Sequence, residues 1–198
     1  MRALKTLLVA LALLAPAAAA KAHPHISIRA TATLQFENGK IVGIHHEWLF
    51  DDFFSNALIP DFDKNKNKQF DPDEVKELEA NAFVALKEFG YFTHVRVGGK
   101  EVTIETVRDF APSIKDGKVV YRFTALLPQP IDPRAAQFAA GVYDHSYYVD
   151  VEVNPQFGVK LVGGGAEACK FAIVEDKEAP LYFGAVFARR IEIRCDKN

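Results

Sequence analysis

From His25 to Phe36 apolar and polar residues alternate one for one. Ile26, Ile28, Ala30, Ala32, Leu34 and Phe36 fall on one parity, and Ser27, Arg29, Thr31, Thr33 and Gln35 on the other. A side-chain period of two marks a β-strand with one buried and one wet face, so the chain must build something to cover that strand. Glu37-Asn38-Gly39 is a turn signal, and Val42, Ile44, His46, Trp48 and Phe50 share a parity beyond it. A two-residue Asn38-Gly39 loop would set the apolar face of one strand against the polar face of the other. A three-residue loop with Gly39 left-handed pairs Leu34 with Val42, Ala32 with Ile44 and Ile28 with Trp48. It also sets Arg29 opposite Glu47 and His25 opposite Asp51, and this is the expected register.

After the hairpin, Phe53, Phe54, Ala57 and Leu58 have helical spacing, and residues 51–60 read as a short helix. A second helix is expected from Asp71 to about Phe89. Asp71 is its N-cap, Pro72 its first residue, and Val75, Leu78, Ala82, Leu86 and Phe89 its buried stripe, with Gly90 ending it. From Tyr91 onward the spacing predicts strands at 92–98, 101–108, 118–127, 146–154, 157–162, 169–175 and 189–195, and a helical turn or two over Arg134 to Ala140. The expected fold is α+β: a mainly antiparallel β-sheet with an EF-hand-like helix–loop–helix inserted at about 51–90.

The start of the chain carries Arg2 and Lys5, an apolar run from Leu7 to Ala15, Pro16, and a stretch of small residues. That is the pattern of a cleavable secretory signal, and the run is far short of the ~20 residues of a membrane-spanning helix. Of two small-residue sites, cleavage after Ala22 is preferred to cleavage before Lys21, because it falls just ahead of the first strand. Residues 1–22 are therefore read as a signal peptide. Residues 23–198 are read as one periplasmic domain without a transmembrane helix. In an exported chain the two cysteines, Cys169 and Cys195, are most simply a disulfide; a zinc site is the weaker reading, with no Cys or His beside either in sequence. The loop of about 27 residues that it closes predicts roughly 3–4 kcal/mol of stabilisation. With 24 basic against 26 acidic residues and no basic run longer than Arg189-Arg190, nucleic acid is not an expected partner.

Twelve residues from Asp63 carry oxygen ligands at the spacing of a calcium loop. Asp63, Asn65, Asn67, Gln69, Asp71 and Glu74 occupy positions 1, 3, 5, 7, 9 and 12, with the Gln69 carbonyl serving at position 7. Starting at Asp61 would put Pro72 at position 12, where it offers no ligand. Position 6 is Lys68 rather than Gly, and a left-handed backbone there costs about 1 kcal/mol or more. Lys64, Lys66 and Lys68 offset the carboxylates, so a weak site of roughly 0.1–1 mM is expected. Without calcium, Asp71 and Glu74 simply cap the following helix.

Cleavage after Ala22 makes His23 the first residue, offering its amine and its ring to one metal ion, with His25 two residues on. Pro24 has no N–H to deprotonate, so the ligands would be the amine and the imidazoles, suited to nickel, cobalt, zinc or copper. Asp51, opposite His25 in the expected register, and the Asp144-His145 turn can complete the set. His45 is about 20 Å from Asp51 along the strand and cannot share this site through the hairpin. His46, between Ile44 and Trp48, reads as a hydrogen-bonded core histidine, and His94 as strand filler. There is no serine elbow, no H-E-x-x-H and no phosphate loop, so an enzyme is not expected.

These residues carry a family resemblance. His23-Pro24-His25-Ile26, the hairpin from Phe36 to Lys40, Glu47-Trp48-Leu49-Phe50-Asp51 with Phe54-Ser55, the loop ending in Glu74, Tyr91-Phe92-Thr93, Tyr143-Asp144 and the C-terminal Cys195 resemble the bacterial domain-of-unknown-function family 1007. The resemblance implies a periplasmic component of an uncharacterised ABC-type transport system, commonly encoded beside nickel/cobalt-type permeases. Two departures stand out. The family usually has Gly where this chain has Lys68, and Pro where it has His145, so His145 is not carried over as a family ligand. A two-lobed solute receptor needs two domains, more than this chain supplies, so a one-domain carrier or permease accessory is the expected role. The alternatives are a calcium-stabilised, non-enzymatic interaction module and a histidine-brace copper redox enzyme.

Overall fold

The computed structural model describes residues 25–196. The signal-peptide and cleavage expectations, and His23, lie outside them. Strand β1 (Ile26–Glu37) turns through Asn38 and Gly39 into β2 (Lys40–Phe50). Both turn residues have positive φ, +50° and +76°, so the loop is a two-residue turn of the kind Asn-Gly favours. The parity conflict that argued against such a turn is removed by a β-bulge. Phe36 pairs with Ile41 but Gln35 pairs with Gly43, which leaves Val42 as the extra residue. Beyond the bulge Leu34 faces Ile44, Ala30 faces Trp48 and Ile28 faces Phe50. The expected register is thus corrected by two residues. Arg29 lies opposite Leu49, Glu47 instead pairs with Arg122 at 2.6 Å, and Ser27 rather than His25 meets Asp51.

Helix α1 (Asp52–Phe62) is followed by the Asp63–Asp71 loop and α2 (Pro72–Leu78). The expected long helix ends early as an α-helix. It runs on as a π-helical turn over Glu79–Phe83 and a 3₁₀ stretch over Val84–Phe92, with non-helical backbone at Phe89–Tyr91. The buried stripe explains the change. Leu78 and Phe83 are both fully buried but five residues apart, which in an α-helix separates them by about 140°; a π turn brings them to one face. Phe89, expected in the stripe, is exposed instead.

The remaining strands are β3 (Thr93–Val97), β4 (Lys100–Val102), β5 (Thr106–Lys115), β6 (Lys118–Ile131), β7 (Phe138–Val142), β8 (Val149–Val153), β9 (Val159–Gly163), β10 (Cys169–Leu181) and β11 (Val186–Cys195). β7 replaces the helical turn expected near Arg134–Ala140. All five of its residues are buried, so no alternation marked it as a strand. One sheet runs β5-β6-β2-β1-β8, with β9 also pairing β1; the other runs β10-β11-β7-β3-β4. Pairing is antiparallel except where β8 and β9 lie parallel to successive halves of β1. The inward faces of both sheets feed one core around Trp48, Phe83, Phe123 and Phe138. Cys169 and Cys195 face each other in the β10–β11 register and form the expected disulfide. With two helices against eleven strands among the described residues, the fold is mostly β rather than α+β. Among those residues no helix is long and apolar enough to cross a membrane.

His46 shows how the core treats an ionisable group. It is fully buried against Phe123, and its Nε2 lies 3.1 Å from Thr93 Oγ1. The Thr93 hydroxyl donates its one proton to the Tyr91 carbonyl, so it must accept from His46 Nε2–H. Among the described residues Nδ1 has no partner, and burial drives the imidazolium pKa down to about 3, with His45 adding to the shift. The histidine is therefore neutral in the fold but titrates near its ordinary 6.5 when unfolded. Stability is full above that value and falls as pH drops from about 6.5 toward 3. Urea unfolding is expected to lose about 2 kcal/mol between pH 7.5 and 5 from this group alone. A His46→Phe/Thr93→Val protein that keeps the same slope over that interval would refute the assignment.

Candidate metal centre

Most of the residues expected to ligate a metal collect at one end of the molecule, where β1 starts, β2 and β7 end, and β8 begins. The first backbone turns of β1 are held there from both sides. His25 N donates to the Tyr148 carbonyl at 2.9 Å, and Asp51 N donates to the Ser27 carbonyl at 2.9 Å. The His25 ring is exposed and rests 4.8 Å from that of Tyr148.

The two aspartates of the expected set are structural here. Asp51 is the N-cap of α1: one oxygen accepts from Phe54 N at 2.8 Å and the other from Ser27 N. It ties the helix to β1 and satisfies a helix-end donor. Asp144 is buried and accepts from Ser146 N, Ser146 Oγ, Tyr148 N and Val149 N at 2.7–3.1 Å. It fixes the turn joining β7 to β8, and with it the exposed His145 that the turn presents.

His94 was not expected in this group. It is the second residue of β3, which pairs with β7, and this long-range pairing carries its ring to the turn. The ring stacks on Tyr143 at 3.9 Å, and Nε2–H donates to the Tyr143 carbonyl at 2.9 Å. That bond places the proton on Nε2 and leaves the Nδ1 lone pair free. The His145 ring stands 4.7 Å from it, edge-on. Burial lowers the pKa of His94 and the charge of His145 assists; the Tyr143 carbonyl, Glu101 and Asp144 oppose the shift. The pair sits in a cleft of about 410 Å³ whose other walls include Glu101, Arg96 and Glu178. No local motif in the sequence joins residue 94 to residue 145. The signal that could have found the pair is the recurrence of His directly beside the two Tyr-containing segments that β3 and β7 bring together.

The Asp63–Glu74 loop forms a second cluster. Asp63 is buried, and its carboxylate accepts from Asn67 N at 3.1 Å and Lys68 N at 3.0 Å. Glu74 reaches back to Lys64 N and Asp71 N at 2.7 and 2.9 Å, and these backbone bonds hold its pKa low against burial. Asp71 gathers the amide groups of Asn65 and Asn67. Lys68 has φ +64°, the left-handed backbone expected of position 6. Asn65 and Asn67 each turn Oδ1 onto a backbone N–H, of Asn67 and Gln69 respectively, with a second lone pair to spare. Among the described residues no three His, Cys, Asp or Glu side chains are grouped closely enough to hold a metal ion. A cation in this loop would therefore need the Asn and main-chain oxygens as well.

A family model described as "Protein of unknown function (DUF1007)" matches residues 8–182. The chain is similar to an uncharacterized 15.5 kDa protein in the trpE 3′ region of Spirochaeta aurantia. The two are 33% identical over 110 residues, which are 54% of this chain and 78% of the relative. No solved structure matches.

Proposed function

The chain belongs to the DUF1007 family, and from that premise we propose that it is an exported, periplasmic protein that captures a divalent transition-metal ion for an inner-membrane permease. The reading is non-enzymatic. His23 and His25 supply the first ligands, and the Asp144-His145 turn lies close to His25. The observation that supports it is the joining of the start of β1 to that turn through the His25–Tyr148 bond. Imidazoles favour nickel, cobalt, copper and zinc over hard cations, and intrinsic affinity rises from cobalt through nickel to copper. Metal-free exported protein titrated calorimetrically with nickel(II), copper(II) and zinc(II) should bind close to one equivalent. A His23→Ala/His25→Ala protein should bind more weakly. Identical isotherms for the two proteins would rule out the N-terminal ligands.

The Asp63–Glu74 loop is the seat of a weakly held structural calcium ion in this reading, in an EF-hand-like helix–loop–helix. Its support is the left-handed Lys68 together with the inward carboxylates of Asp63 and Glu74. Calcium at tenfold above a roughly 1 mM Kd would stabilise the fold by about 1.4 kcal/mol. Glu74→Gln removes the bidentate carboxylate, and the calcium-dependent rise in thermal midpoint should disappear. A variant that keeps the wild-type calcium response would show that Asp71 and Glu74 serve only as helix caps.

A further inference from the structure

We propose that His94 and His145 together form a two-imidazole chelate for the transition-metal ion, at the mouth of the cleft between β3 and the β7–β8 turn. The inference rests on the metal-capture reading and names ligands for it. Two imidazole nitrogens about 2.0–2.1 Å from one ion, at tetrahedral or right angles, set their ring centroids roughly 4.5–5 Å apart. The observed separation is 4.7 Å. His94 is already arranged as a ligand. Its Nε2–H is bound to the Tyr143 carbonyl, its ring is clamped on Tyr143, and its Nδ1 makes no hydrogen bond among the described residues. A backbone carbonyl holding the far nitrogen is the usual outer partner of a metal-bound histidine. His145 is exposed, and Asp144 spends its own oxygens on making the turn rigid rather than on the ring beside it. The His94 ring and the turn that presents His145 are thus held before an ion arrives, which limits the ordering cost of binding.

Two protein nitrogens leave the other coordination positions open toward the cleft, where Glu101 lies. An ion held in this way is accessible to an incoming ligand, which suits a protein that must pass its metal on. His25 stands at the other end of the same turn, against Tyr148.

The test is calorimetric titration of nickel(II) and copper(II) into the metal-free exported chain, with His145→Ala and His94→Gln alongside. Glutamine keeps an N–H for the Tyr143 carbonyl while removing Nδ1. Because His145 is exposed, its variant retains the fold; if His94→Gln does not, the response of the wild-type His94 imidazole resonance to nickel decides. Loss of an outer partner weakens metal sites about 10–100-fold, so loss of either direct ligand is expected to weaken binding about 100-fold. In the wild type, nickel should also displace the nitrogen NMR resonances of both imidazoles. Unchanged affinity in His145→Ala, or a loss confined to His94→Gln, would overturn the chelate. If the variants bind normally and only His23→Ala/His25→Ala is impaired, the chelate fails while the metal-capture reading stands. A wild-type chain that binds neither metal would remove both.

Discussion

Replacing Cys169 and Cys195 by serine is expected to lower the unfolding free energy by about 3–4 kcal/mol, a large part of the ~5–15 kcal/mol of a typical domain. The bridge joins residues 26 apart and fastens the first residue of β10 to the last of β11. Without it the unfolded chain regains the freedom of that loop. Among the described residues β10 is an edge strand, paired only with β11. The double variant and the oxidised wild type should therefore differ in urea midpoint, and a difference worth less than about 1 kcal/mol would show that the bridge contributes little beyond the β10–β11 ladder. Reduction of the wild type with dithiothreitol should reproduce the variant, since it breaks the same bond without changing a side chain.

Removing the Asp176 carboxylate should cost about 3 kcal/mol. In the β10–β11 register Glu175 faces Arg189 and Pro180 faces Phe187, so residues 176–179 bulge out of the ladder. Asp176, at the base of the bulge, is almost wholly buried. It binds Arg190 of β11 at 3.0 Å and also Arg96 of β3, which in turn holds Glu178. One carboxylate therefore joins strands that are not neighbours in their sheet, and it anchors the bulge against the cleft that holds His94. Deleting one partner of a buried ion pair costs about 3–5 kcal/mol because the other charge is left stranded. The two arginines are only partly buried and can recover water, which places Asp176→Ala at the lower end of that range. Asp176→Asn keeps a hydrogen-bond acceptor and should lose less. Equal stability of Asp176→Ala and wild type in urea would contradict this account.

The sheet was legible wherever one face is wet and the other dry. β1 and the part of β2 from Ile44 to Phe50 alternate cleanly, and their pairing follows from that. Their register did not follow, because it turns on Val42, a single inserted residue that no pattern announces. β7 was hidden for the opposite reason: Phe138-Ala139-Ala140-Gly141-Val142 is dry on both faces and has no alternation to read. The helix stripe misled because Leu78 and Phe83 share a face only through a π turn. The disulfide was accessible from two cysteines and the expectation of an exported chain alone. The Asp63–Glu74 loop was also visible, since all its oxygens are local in sequence. His94 could not be placed, because its proximity to His145 depends on β3 pairing with β7 across about forty intervening residues. Local chemistry was thus readable and long-range assembly was not, and the candidate site divides along the same line. His25, Asp51, Asp144 and His145 were recognisable as ligand types, whereas the use of both aspartates by backbone donors is a property of the folded chain.

The most direct test of the metal-capture reading is elemental analysis by mass spectrometry of the protein isolated from the exported fraction without chelators, with its N-terminal residue determined on the same sample. The account predicts close to one equivalent of nickel, cobalt, copper or zinc per chain, on a protein that begins at His23. Material that begins there and carries none of the four would contradict it.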